Sequence, residues 1–136
     1  MITAVSHATV LVEDQDEALA YYTDVLGFEK RDDERTDEGR WLTVAPPDSE
    51  ATQLALMAAD ADEHRERVGN QVSDYVAFVL ATDDCRAEYD RLREAGVEFL
   101  GEPEEWPWGV EVQFEDLYGN RLDLFEPRPM DDADEA

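Results

Sequence analysis

At 136 residues, 43% of them hydrophobic, the chain has the length and apolar content of one folded domain, which excludes a wholly disordered segment. Its formal charge is −25, spread along the whole length, and Lys30 is the only lysine. Nucleic acid and anionic membranes are therefore poor partners, because a negative surface recovers no counterion-release energy from either. Self-repulsion at this density opposes compaction until salt screens it, so the composition points to a salt-rich cytoplasm. Cys85 stands alone, which excludes an intrachain disulfide and suits a reducing compartment. Acidic residues Glu13, Asp14, Asp16 and Glu17 interrupt any apolar signal core, and no apolar run reaches the ~20 residues of a membrane helix. The expected location is cytoplasmic.

Residues 4–12 alternate as a strand does, with Ala8, Val10 and Val12 on one side and His7, Thr9 and Leu11 on the other. Asp14 can then cap a helix, with Glu17 as its capping-box partner. The stripe Ala18, Leu19, Tyr22, Val25 and Leu26 gives that helix its buried face, and Gly27 stops it. A short strand over residues 28–32 follows, then strands over 41–45 and 53–58 joined by Pro46-Pro47-Asp48-Ser49. Residues 59–72 are polar and read as a connection.

The order then repeats. Alternation resumes at Tyr75 with Val76, Phe78 and Leu80 on one side. Asp83 or Asp84 can cap a helix carrying Cys85, Tyr89, Leu92 and Ala95, ended by Gly96. Strands are expected over residues 97–100, 110–115 and 121–126, the last two joined by the turn Asp116-Leu117-Tyr118-Gly119-Asn120. The chain thus predicts an α+β fold of two tandem βαβββ modules, residues 1–58 and 73–128, whose curved, mostly antiparallel mixed sheet surrounds a pocket. Residues 129–136 form an acidic tail expected to be disordered.

In such a unit the helix packs on one face of the sheet. That face collects Ala8, Val10, Val12, Leu54, Leu56, Val76, Phe78, Leu80, Leu122 and Leu124, all apolar. The opposite face receives His7, Gln53, Tyr75 and Asp123, too polar for a second core and suited to line a wet concavity where polar groups orient a ligand.

The order of elements, together with His7-Ala-Thr-Val-Leu-Val-Glu-Asp, Tyr21-Tyr22, Leu26-Gly27-Phe28, Ala95-Gly96-Val97-Glu98-Phe99, Trp108-Gly109, Asp116 with Gly119-Asn120, and Leu122-Asp123-Leu124, resembles the vicinal oxygen chelate superfamily. Its members include glyoxalases, extradiol dioxygenases and bleomycin- and fosfomycin-resistance proteins. The resemblance spans residues 2–127 and implies the fold more sharply than the chemistry. Members with a metal hold it at four positions, which fall here on His7, Gln53, Tyr75 and Asp123. His7, Gln53 and Asp123 are the implied ligands of a divalent ion (Zn, Ni, Mn or Fe), which other members lack altogether. Tyr75 departs from the pattern, since a phenol with a pKa near 10 must ionise to bind well, and it is placed instead among the substrate-binding groups.

Trp41, Trp106, Trp108 and Tyr118 are candidate pocket aromatics, with core anchoring as the alternative for the indoles. The stretch Trp106-Pro107-Trp108-Gly109 reads as a loop, where exposed indoles are costly unless they cover something. Arg40 and Arg121 are candidate partners of an acidic substrate, or else surface ion-pair formers. Gly119 and Asn120 serve the turn, and Cys85 reads as a buried helix-face residue. Two functions stand open. One is a metal-dependent enzyme of the glyoxalase or dioxygenase type that chelates neighbouring oxygens of its substrate. The other is a metal-free protein that sequesters a small molecule or antibiotic in an aromatic groove. Relatives of this size pair so that two chains complete each pocket, which implies a homodimer.

Overall fold

The computed structural model describes residues 1–129, so the expectation for the acidic tail falls almost wholly outside them. The chain forms two compact units, Met1–Gln71 and a second that begins at Val72. Each repeats one order of elements.

In the first unit β1 (His7–Val12) runs into α1 (Gln15–Ala20), which continues as a π-helical turn over Tyr21–Val25. The Asp14 carboxylate accepts from the Glu17 amide, as the capping pattern predicts, and Gly27 takes the left-handed conformation (φ 83°) that stops the helix. The chain then forms β2 (Glu29–Thr36), β3 (Gly39–Ala45) and β4 (Gln53–Ala58). The sheet order is β1-β4-β3-β2, with β1 and β4 parallel and the other pairs antiparallel. Helix α2 (Asp62–Arg65) follows in the polar connection. Downstream of it Gln71 returns to the free edge of β1, accepting from the Leu11 amide and donating to the Thr9 carbonyl. A side chain thereby occupies backbone groups that an edge strand would otherwise offer to another chain.

The second unit comprises β5 (Phe78–Ala81), α3 (Cys85–Glu94), β6 (Glu104–Trp106), β7 (Gly109–Glu115) and β8 (Arg121–Pro127), in the order β5-β8-β7-β6. Asp84 caps α3 through the Ala87 amide, and Gly96 (φ 99°) ends it. Two details differ from the sequence reading. Residues 97–100 make only one bridge, Phe99 to Phe114, and the edge strand forms later, at β6. The Phe99 ring lies between Tyr89 and Phe114, at 4.6 and 5.3 Å, so packing against α3 and β7 fixes this segment without a full ladder. The Trp106–Gly109 stretch is likewise no open loop. Trp106 pairs with Gly109 across a two-residue hairpin turn.

The apolar faces match the alternation. Val10, Val12, Ala18, Tyr22, Leu42, Val44, Leu54 and Leu56 are buried in the first unit, and Cys85, Leu92, Val110, Val112, Phe114, Leu122 and Leu124 in the second. The opposite face of each sheet is drier than its polarity suggests, since Thr43, Ala45 and Ala55 are also buried in the first unit and Asp123 in the second.

Candidate functional site

The repeat is most exact around the strands that carry the polar face. Caps Asp14 and Asp84, hairpin glycines Gly39 and Gly109, and strand positions Gln53 and Asp123 all differ by 70 in number. By that spacing Trp41 answers to Glu111 and Thr43 to Gln113. In the first unit Thr43 donates its hydroxyl to Gln53 Oε1 at 2.7 Å, which pairs the buried threonine with the half-buried amide. In the second, Gln113 stands opposite Asp123 in the β7–β8 register, yet Asp123 Oδ1 is buried with no hydrogen-bond partner. Its carboxyl is pushed up to about 7, first by burial and then by the hydrogen bond and the charge of the neighbouring Glu111 carboxyl.

The remaining predicted residues divide in the same way. His7 is exposed on β1, opposite Gln53 in the parallel register. Its Nδ1 lies 2.9 Å from the Ser6 hydroxyl, and its ring is tilted against Trp41 at 5.3 Å. His7 stands seven residues before its cap Asp14, and Ala77 stands seven before Asp84. Tyr75 lies two residues earlier still, ahead of β5 and 76% exposed. Arg40 is committed locally: its Nε and one terminal nitrogen donate to Asp33 at 2.8 and 2.9 Å, and the other nitrogen donates to Asp16 at 2.7 Å. These bonds hold the Asp33 carboxyl down to about 2 and push the guanidinium up. Arg121 donates to the Asp74 carbonyl at 3.1 Å, while its Nε is buried and unpaired. Tyr118 sits in the turn where Asp116 accepts from the amides of Tyr118 and Asn120 and from the Asn120 side chain. Asp116 and Asn120 thus build the β7–β8 connection.

Trp106 and Trp108 flank Pro107 and stack in parallel, 5.4 Å apart with 2° between planes, while 37% and 48% exposed. The sister hairpin places Asp37 and Glu38 at the corresponding turn. Gly109 makes this hairpin possible, because a Cβ there would overlap the Glu126 carbonyl oxygen and the Phe125 ring.

Sequence reasoning passed over Thr43, Glu111 and Gln113. The signal was available, since alternation along β7 puts Glu111 and Gln113 on the face of Asp123, and the 70-residue spacing picks out Thr43. Neither unit by itself gathers three His, Cys, Asp or Glu side chains close enough to hold a metal among the described residues.

Comparison with known proteins agrees with this architecture. The sequence profile of the Glyoxalase/Bleomycin resistance protein/Dioxygenase superfamily matches residues 4–124. The crystal structure of UcmS2 superposes with a TM-score of 0.82 at 39% identity, covering 92% of this chain and 98% of that one. TnmS3, an antibiotic binding protein from Streptomyces sp. CB03234, superposes with a TM-score of 0.79 at 35% identity, covering 93% and 98%. An uncharacterised protein of Shewanella frigidimarina is 35% identical over 128 residues, 93% of this chain and 95% of the relative. The chain is a member of the Glyoxalase/Bleomycin resistance protein/Dioxygenase superfamily.

Proposed function

We propose that the protein binds and sequesters a small, planar, partly aromatic molecule of the antibiotic kind without needing a metal. The carrying observation is the Trp106–Trp108 pair, two parallel indoles displayed on a hairpin whose sister carries acidic residues. Displayed indole faces gain by stacking on a flat guest. The likeness to TnmS3, an antibiotic binding protein, supports the same reading.

The metal-dependent alternative, an enzyme of the glyoxalase or dioxygenase type, would take its ion on His7, Gln53 and Asp123. The donor set does not fit that role well. Gln53 Oε1 already accepts from Thr43, Tyr75 precedes its strand, and Asp123 lies against a second carboxyl that raises its proton affinity. We further propose that the protein works as a homodimer in a salt-rich cytoplasm, a setting supported by its charge of −25.

The test is equilibrium dialysis of a panel of planar aromatic antibiotics against protein purified in molar KCl, before and after EDTA. Saturable binding unaffected by EDTA is expected, with weakening of about tenfold in Trp108→Ala, the scale of one lost stacking contact. Binding that disappears with EDTA and returns with a divalent ion would overturn the proposal in favour of the metal-dependent reading.

A further inference from the structure

Among the described residues three buried side-chain polar atoms have no hydrogen-bond partner: Arg31 Nε, Arg121 Nε and Asp123 Oδ1. Arg31 is accounted for, because its Nε lies 3.4 Å from Glu29 and its terminal nitrogen donates to the carbonyls of Pro46, Pro47 and Ser49. The other two stand two residues apart on β8, on the same face of the strand. One is a donor and the other an acceptor, and the pair lies on the polar face rather than in the helix-packed core. Buried polar groups are normally satisfied, so an open donor and an open acceptor side by side on one strand face call for a partner. The first unit supplies the control. Gln53, the counterpart of Asp123, is closed by Thr43, and the counterpart of Arg121 is Ala51, which has no polar side chain to satisfy.

We infer that Arg121 and Asp123 form a two-point polar anchor for the guest, which presents an acceptor to the Arg121 guanidinium and a hydroxyl or amine donor to the Asp123 carboxyl. Two residues along a strand set these points roughly 6–7 Å apart, a separation that one or two fused rings span. The guest is then a flat ring system with a donor at one end and an acceptor at the other. This rests on the sequestration reading and narrows its ligand class. Glu111 adds to the case, since a donor from the guest would relieve two crowded carboxyls at once.

The probes are 6-hydroxy-2-naphthoate, 2-naphthoate, 2-naphthol and naphthalene, measured by equilibrium dialysis in molar KCl. The hydroxynaphthoate should bind at least about tenfold tighter than naphthalene, the sum of two modest hydrogen-bond gains. Asp123→Ala should erase the gain from the hydroxyl and keep that from the carboxylate, and Arg121→Met should do the reverse. Asp123→Leu, closer in volume to the aspartate, repeats the first arm should the alanine variant fail to fold. Four probes of equal affinity, or gains that survive both substitutions, would overturn the anchor while leaving sequestration intact. Absence of saturable binding for all four, naphthalene included, would overturn the sequestration reading and the anchor with it.

Discussion

The two units place the same backbone under different side chains, and the first unit is the finished version. Its hairpin at Gly39 meets open space, its turn is acidic, its polar face carries the Thr43–Gln53 bond, and on the helix-packed side Arg40 is held by Asp33 and by Asp16 of α1. The second unit has a crowded hairpin at Gly109, two indoles beside the turn, and an open donor and acceptor on β8. A duplicated frame can therefore assign stability to one copy and recognition to the other. Unsatisfied groups weaken folding, and a fold accepts them where a ligand completes them.

The strongest perturbation of this contrast is salt. Raising KCl from dilute buffer to about 2 M should lift the thermal unfolding midpoint by tens of degrees, as screening removes surface repulsion in both units alike. A flat response in calorimetry would remove the salt-rich setting. The next largest effect separates the hairpins: Gly109→Ala should cost roughly 2–4 kcal/mol in denaturant unfolding, from overlap and backbone strain together. Gly39→Ala, where a Cβ meets nothing, should cost clearly less, and equal costs would contradict the asymmetry.

A smaller effect concerns the closed polar cluster. Arg40→Met should lower the midpoint by several degrees at neutral pH, because Asp33 loses its partner. The Asp33 carboxyl, normally near 4 when unfolded, is held at about 2 in the folded chain. Its contribution is therefore present above the unfolded value and lost as pH falls from about 4 toward 2. The variant should show no such loss. Opposite in sign is the slope from Asp123, whose folded carboxyl titrates at about 7. The folded chain holds that proton where the unfolded chain has released it, so stability falls as pH rises from about 4 to 7. Asp123→Asn should flatten this slope, and molar KCl should largely preserve it, since the largest cause is burial. Persistence of the slope in the variant would shift its origin to Glu111 or elsewhere.

Much of the frame was legible because it depends on local rules. The caps at Asp14 and Asp84, the glycine stops and the alternation of Val10/Val12 and Leu122/Leu124 each follow from one residue's chemistry or from a period of two. The β6 position was not legible, because Phe99 is held by rings from two other elements, α3 and β7, rather than by a strand ladder. In the first unit, parity puts His7 and Gln53 on one face of the sheet, and in the second it puts Asp123 away from Leu122 and Leu124, but which polar groups are already satisfied is not legible from it. Arg40 looks the same in sequence whether it awaits a substrate or grips Asp33. The difference is a matter of tertiary distance, as is the unpartnered state of Asp123 Oδ1.

Cys85 offers a further use. Its thiol is fully buried at the start of α3, directed at the Leu124 carbonyl at 3.6 Å, and burial pushes it up to about 11. A thiolate-seeking reagent can reach it only when α3 lifts from β8. The rate of its modification at neutral pH thus serves as a native clock for the opening of the second unit, readable with and without a guest and requiring no engineered label.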